Sequence, residues 1–128
     1  EEQGHQNVHV LAVDALLAAP ILLDDGQLQE LFVFYPDPWW KKKHRKRRVI
    51  RTENLDVLSP KFASGGILWC RTDVGPLARD MRAALNAHPD FEPLPMEDYP
   101  MQAWPQSERD RLTISKKMPV QLLYYRRK

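Results

Sequence analysis

Apolar and polar positions alternate near the start of the chain. In "NVHVLAVDA" Val8, Val10 and Ala12 share one side, and the run ends on an acid, Asp14. A period of two over about seven residues predicts a strand. The next stretch, "ALLAAPILLDDG", is apolar at helical spacing, broken near Pro20 and closed by Asp24, Asp25 and Gly26, which predicts a short helix. "LQELFVFYP" predicts a second strand, and its unbroken apolar run at residues 31–34 suits burial on both faces of a parallel sheet. Further on, Thr52 is placed to cap a helix carrying Leu55, Val57 and Leu58, which stops before Gly65 and Gly66. "GGILWCRTD" predicts a third strand, again ending on an acid, Asp73. Pro76 fits the first turn of a helix with Leu77, Met81, Ala84 and Leu85 on one face. "FEPLP" and "PVQLLYYR" pair as closing strands, with the proline-rich residues 93–105 as a loop between them.

Alternating strands and helices predict an α/β sheet covered by helices on both faces. Ligands in open α/β sheets bind beyond the carboxyl ends of the strands. Three successive predicted strands end on Asp14, Asp37 and Asp73. A single Asp after a strand is commonly a cap or a turn former. Three in register point instead to a site.

Composition changes the picture at one place. The chain has 128 residues, enough for one domain with one core. Its net charge of +2 hides an asymmetry: seven of the 19 Lys and Arg lie in residues 41–48, leaving 12 basic against 17 acidic residues elsewhere, a net of −5. A basic patch on an acidic body points to a polyanion at one face, with a solvated tract as the alternative. No apolar run reaches the length of a membrane span, and nothing at the start reads as a secretory signal. One cysteine, Cys70, excludes an internal disulfide and suits a reducing cytoplasm. The scattered histidines lack zinc spacing, so no metal site is expected. The chain begins at Glu1 without Met, and a processed, trimmed or partial product is expected.

The acid between the second strand and the basic tract sits in Pro36-Asp37-Pro38-Trp39-Trp40. The two prolines stiffen the turn and remove two donors, which leaves local carbonyls to accept from a ligand. A carboxylate beside an aromatic ring suits a purine edge: N–H groups donate to the acid while Trp39 stacks on the base. Trp40 is the residue expected to plug the core instead.

These residues carry a resemblance. "FYPDPWWKKKHRKRR" resembles the signature of the bacterial tRNA (guanine-N7)-methyltransferases, as do "NVHVLAVDA" and "GGILWCRTD", with a looser likeness through "LNAHPDFEPL" and "PVQLLYYRR". The resemblance implies a Rossmann-like enzyme that uses S-adenosylmethionine to methylate N7 of a guanine in the tRNA variable loop. It implies catalysis at Asp37 and cofactor binding by Asp14 and Asp37. Lys41, Asp73 and, in the altered segment "PQSERDRL", Glu108 match substrate contacts. Lys42, Lys43, Arg45, Arg47 and Arg48 would hold RNA phosphates, and Trp39 would stack on the base. It also implies a partial sheet. No Gly-x-Gly occurs among Gly4, Gly26, Gly65, Gly66 and Gly75, so the chain reads as the C-terminal, RNA-facing part of one methyltransferase domain, residues 1–128, with the first two strands missing. The gap would lie between the strands ending at Asp14 and Asp37, filled by the missing N-terminal half or by a homo-oligomer. The isolated chain is expected to be inactive. The alternative is a non-catalytic RNA-binding module derived from such an enzyme.

Overall fold

The computed structural model describes residues 4–100 and 106–128. The order of the main elements is α1 (Ala15–Leu22), β1 (Leu28–Phe34), α2 (Thr52–Leu58), β2 (Phe62–Thr72), α3 (Gly75–Ala87), β3 (Phe91–Pro93), α4 (Glu108–Ser115) and β4 (Gln121–Arg127). The basic tract forms a 3-10 helix, Lys42–Arg47. The four strands make one sheet in the order β1-β2-β4-β3. β1 runs parallel to β2, with Leu31 opposite Leu68 and Val33 opposite Cys70. β4 is antiparallel to both β2 and β3. A parallel pair needs a crossover, and α2 supplies it. The alternation that predicts an α/β fold is therefore present.

The pleat separates two faces. On one, Leu31, Val33, Leu68, Cys70, Leu123 and Tyr125 pack with Leu55 and Leu58 of α2 and Leu77, Met81 and Leu85 of α3, and Ala19 of α1 joins the same core. On the other, Phe32 stacks on Trp69, Trp69 stacks on Tyr124, and Tyr99 packs edge-on against both Trp69 and Tyr124. Helices α1 to α3 gather on the first face. The helix that reaches the second is α4, through Asp110. The Gly65-Gly66 pair sits where β2 approaches β1. Gly65 has φ +79°, and a Cβ on Gly66 would meet the Phe62 ring at 2.9 Å and the Leu28 carbonyl oxygen at 3.0 Å.

Several expectations change. Residues 8–13 form no strand: Val8, Val10, Leu11 and Val13 are exposed, Val10 at 89%. A period of two marks a face able to be buried, but ladder bonds need a neighbour, and none of the described strands lies beside this run. β1 correspondingly is an edge strand, with Phe32 exposed despite its continuously apolar run. Thr52 opens α2 rather than capping it; Arg51 holds the cap position. Trp40 is 57% exposed and plugs nothing. Of the proline-rich residues 93–105, 101–105 lie outside the described residues. Helix α4 has no counterpart among the expected elements. Its start carries a Ser107–Asp110 capping box, and that Ser-x-x-acid spacing is the signal that locates it.

Candidate nucleic-acid interface and acidic turn

The turn after β1 is pinned at both ends. At its start Tyr35 adopts φ 51°, a left-handed conformation that non-glycine residues rarely take. Its N–H extends the β1–β2 ladder to the Arg71 carbonyl at 2.7 Å, and its hydroxyl donates to Asp110. At the far end the Pro38 carbonyl accepts from Arg48 Nε at 2.6 Å, and Arg48 Nη1 pairs with Asp80 of α3 at 2.7 Å. Asn54 of α2 donates to the Arg48 and Val49 carbonyls and fixes the exit of the tract. Between these anchors Asp37 is exposed, and its Oδ1 accepts the Trp39 N–H at 3.0 Å. Among the described residues its second oxygen has no partner. The stiff turn expected from two prolines is present, with one change: the Pro38 carbonyl is taken by Arg48 and is not free for a ligand.

Arg48 differs from the other cations. It is 7% exposed and its guanidinium is committed inside the molecule. Its expected place among the phosphate-facing residues follows from charge without burial, and burial overturns it. Lys41, Lys42, Lys43, Arg45, Lys46 and Arg47 are exposed. Trp39, also at positive φ (46°), lies under the Arg47 guanidinium at 5.1 Å and meets His44 edge-on. The tract and the ring form one surface.

Asp14 does what the commonplace reading of an acid after an apolar run predicts: its Oδ1 caps α1, accepting from the N–H groups of Leu16 (2.9 Å) and Leu17 (3.3 Å). As at Asp37, the second oxygen has no partner among the described residues. Asp14, Leu16 and Leu17 line one wall of an open groove of about 490 Å³ whose other wall is Trp39, Lys46, Arg47 and Asn54. The structure thus brings Asp14, Trp39 and Arg47 to one groove. Asp37 is not in its wall.

Asp73 belongs to a second cluster. Its side chain is almost buried, and Arg109 of α4 pairs with it. Glu108, the candidate in that segment, is exposed at the first position of α4. The acid of α4 turned inward is Asp110, 5% exposed, bonded to Ser107 and ion-paired at 3.0 Å with the equally buried Arg71. Arg71 also donates to the Tyr99 hydroxyl and lies over the Phe34 ring. Burial works to raise the Asp110 pKa, but bonds from Tyr35 and Ser107 and the Arg71 charge hold it below the usual carboxylate range. Burial and the bond to Asp110 push Tyr35 up to about 12. Sequence reasoning missed Tyr35, Arg71 and Asp110. Arg71, the one charged residue of β2, was the available sign.

Comparison with known proteins agrees with this architecture. A family model described as "Putative methyltransferase" matches residues 1–121. The chain is 42% identical over 92 residues to a tRNA (guanine-N(7)-)-methyltransferase of Streptomyces coelicolor, covering 72% of this chain and 34% of the relative. It is 36% identical over 97 residues to the protein of that name from Arabidopsis thaliana, covering 76% and 39%. With the one from Alkalilimnicola ehrlichii it shares 35% identity over 130 residues, covering 100% and 55%. The chain therefore spans a third to about half the length of these curated relatives. Among the described residues no helix is long and apolar enough to cross a membrane.

Proposed function

The chain belongs to the methyltransferase family whose model it matches, and from that premise we propose that it forms the RNA-facing part of an S-adenosylmethionine-dependent enzyme that methylates guanine N7 in tRNA, in its variable loop. The observation that carries this reading is the anchored turn: an exposed carboxylate, fixed from both sides, followed across Pro38 by Trp39 and then by six exposed cations.

The described residues fit part of such a cofactor. The groove offers an acid, Asp14, with an uncommitted oxygen and an apolar wall of Leu16 and Leu17, which suits an adenosyl group. When bound, the cofactor supplies a methyl group on a cationic sulfur. Asp37 would hold that site electrostatically and accept from the N–H edge of the base. Guanine N7 already owns a lone pair, so no strong base is required, and the chain's task is orientation. Trp39 exchanges its contact with Arg47 for the base. Lys41, Lys42, Lys43, Arg45 and Arg47 hold phosphates, which sets position without reading sequence. Arg48 serves the same surface indirectly, by keeping the Pro38 carbonyl in place. Asp73 with Arg109, and Glu108, border the base from the α4 side.

The test is Asp37→Ala in the full protein, assayed by transfer of labelled methyl to tRNA. A loss of roughly 10²–10³-fold in kcat with tRNA binding retained is expected, the scale of removing one preorganised electrostatic group. Unchanged turnover would remove Asp37 from the site. Tight tRNA binding by a wild-type protein that transfers no methyl would favour the RNA-binding module.

A further inference from the structure

Tyr35 is the hinge of the acidic turn, and nothing local explains its conformation. Its φ of 51° is unfavourable for a residue with a Cβ, and Pro36, which follows, disfavours compact backbone at Tyr35. Such a conformation persists where its surroundings over-determine it. Here the surroundings include the Arg109 guanidinium over the Tyr35 ring at 5.9 Å and two hydrogen bonds: the N–H to the Arg71 carbonyl, and the hydroxyl to Asp110, 75 residues away in sequence. Asp110 is itself immobilised by Ser107, through both its N–H and hydroxyl at 2.8 Å, and by Arg71 at 3.0 Å. Arg71 is held in turn by the Tyr99 hydroxyl at 3.1 Å. A fold needing only to satisfy the buried Arg71 charge would be served by Asp110 alone. The Tyr35 hydroxyl adds a link from this pair to the backbone two residues before Asp37.

We propose that Asp110 is a positioning residue for Asp37, acting through the Tyr35 hydroxyl to fix the backbone conformation in which the turn presents its acid. Arg48 fixes the other end of the same turn, so the direction of the Asp37 carboxylate is set by α4 on one side and α3 on the other. The Tyr35 hydroxyl remains a donor over the whole working range, because burial and Asp110 push its pKa up to about 12. The inference rests on the reading of Asp37 as the acid that acts on the substrate.

Removing Asp110 or Arg71 leaves a buried unpaired charge and can prevent folding, so the primary variant is Tyr35→Phe, which keeps the ring and deletes one oxygen. In the full protein Tyr35→Phe is expected to lower kcat for tRNA methylation about 10- to 100-fold, the scale of a small misplacement of a reacting group, with the KM for tRNA within about twofold. In an Asp37→Ala background the same change should have no further effect, because the residue it positions is gone. A full kcat in Tyr35→Phe, or an equal loss with and without Asp37, overturns the proposal. A readout independent of turnover is the ¹⁹F resonance of 5-fluorotryptophan at Trp39, assigned by Trp39→Phe. It should shift or split in Tyr35→Phe and in Asp110→Asn, and an unchanged line in both also overturns the proposal. Turnover unaffected by Asp37→Ala, with the resonance still responding, would sink the reading of Asp37 while leaving the link to Asp110 standing.

Discussion

Two stretches of this chain carry the same mark, an apolar run that ends on an aspartate, and they reach opposite ends. Residues 31–34 lie in β1, paired with β2, and the following Asp37 is presented outward in a turn anchored to α3 and α4. Residues 8–13 pair with none of the described strands, stay exposed, and hand their aspartate to the first turn of α1. The difference teaches that an apolar run is a capacity for pairing. Ladder partners and distant polar anchors decide whether the acid after it becomes a presented group or a helix cap.

The comparison can be sharpened first through stability. Leu68, 1% exposed on β2 opposite Leu31, should cost about 2–5 kcal/mol on replacement by Ala. Val10→Ala, in the exposed run, should stay within about 0.5 kcal/mol. Urea denaturation of both variants checks this, and similar costs would mean that residues 8–13 are paired and buried after all.

Next comes the anchor of the turn. Arg48→Ala removes two charge-assisted bonds and strands the Pro38 carbonyl, an expected loss of about 1.5–3 kcal/mol. Arg47→Ala, on the exposed side of the same tract, should leave stability within about 0.5 kcal/mol. The two exchange rank in RNA binding. Deleting one cation that neutralises a phosphate should flatten the log–log salt slope of tRNA binding by about 0.7–0.9, so Arg47→Ala flattens it and Arg48→Ala does so less. Equal slopes for wild type and Arg47→Ala would take that residue out of the RNA surface.

A smaller effect tests the α4 anchor of the turn by pH. Asp110 has a folded-state pKa below its unfolded value, so its contribution is fully present above the ordinary carboxylate pKa of about 3.9 and is lost as pH falls through the depressed folded value. Denaturation midpoints measured from pH 6 downward should fall more steeply in wild type than in Asp110→Asn. Identical pH dependence would show that Asp110 gains nothing from Tyr35, Ser107 and Arg71.

Local patterns made much of this legible. β1, β2, α2, α3 and the closing pair β3–β4 follow from periodicity and from the Pro76 signal, whereas Gly65-Gly66, expected to open the third strand, lies inside β2, which starts at Phe62. The acidic turn was legible because prolines restrict φ whatever surrounds them. What stayed hidden depended on residues far apart in the chain. Arg48 counts as one more cation until its partners, Pro38 and Asp80, are seen to bury it. Asp110 is one acid among several in a charged segment until the fold places it against Tyr35 and Arg71. Residues 8–13 have the pattern of a strand, but no pattern within a segment specifies its neighbour.

The two left-handed residues of the turn, Tyr35 and Trp39, bear on how this protein would respond to selection for robustness alone. Each conformation costs of order 1–3 kcal/mol, and glycine, free of that penalty, would relieve it. A thermostability screen blind to activity should therefore return Trp39→Gly among its winners, and Tyr35→Gly wherever the relief outweighs the bond to Asp110. On the proposed function both would discard side chains that aim the acid and stack on the base, which makes these two positions where a hardier protein and a working one would part company.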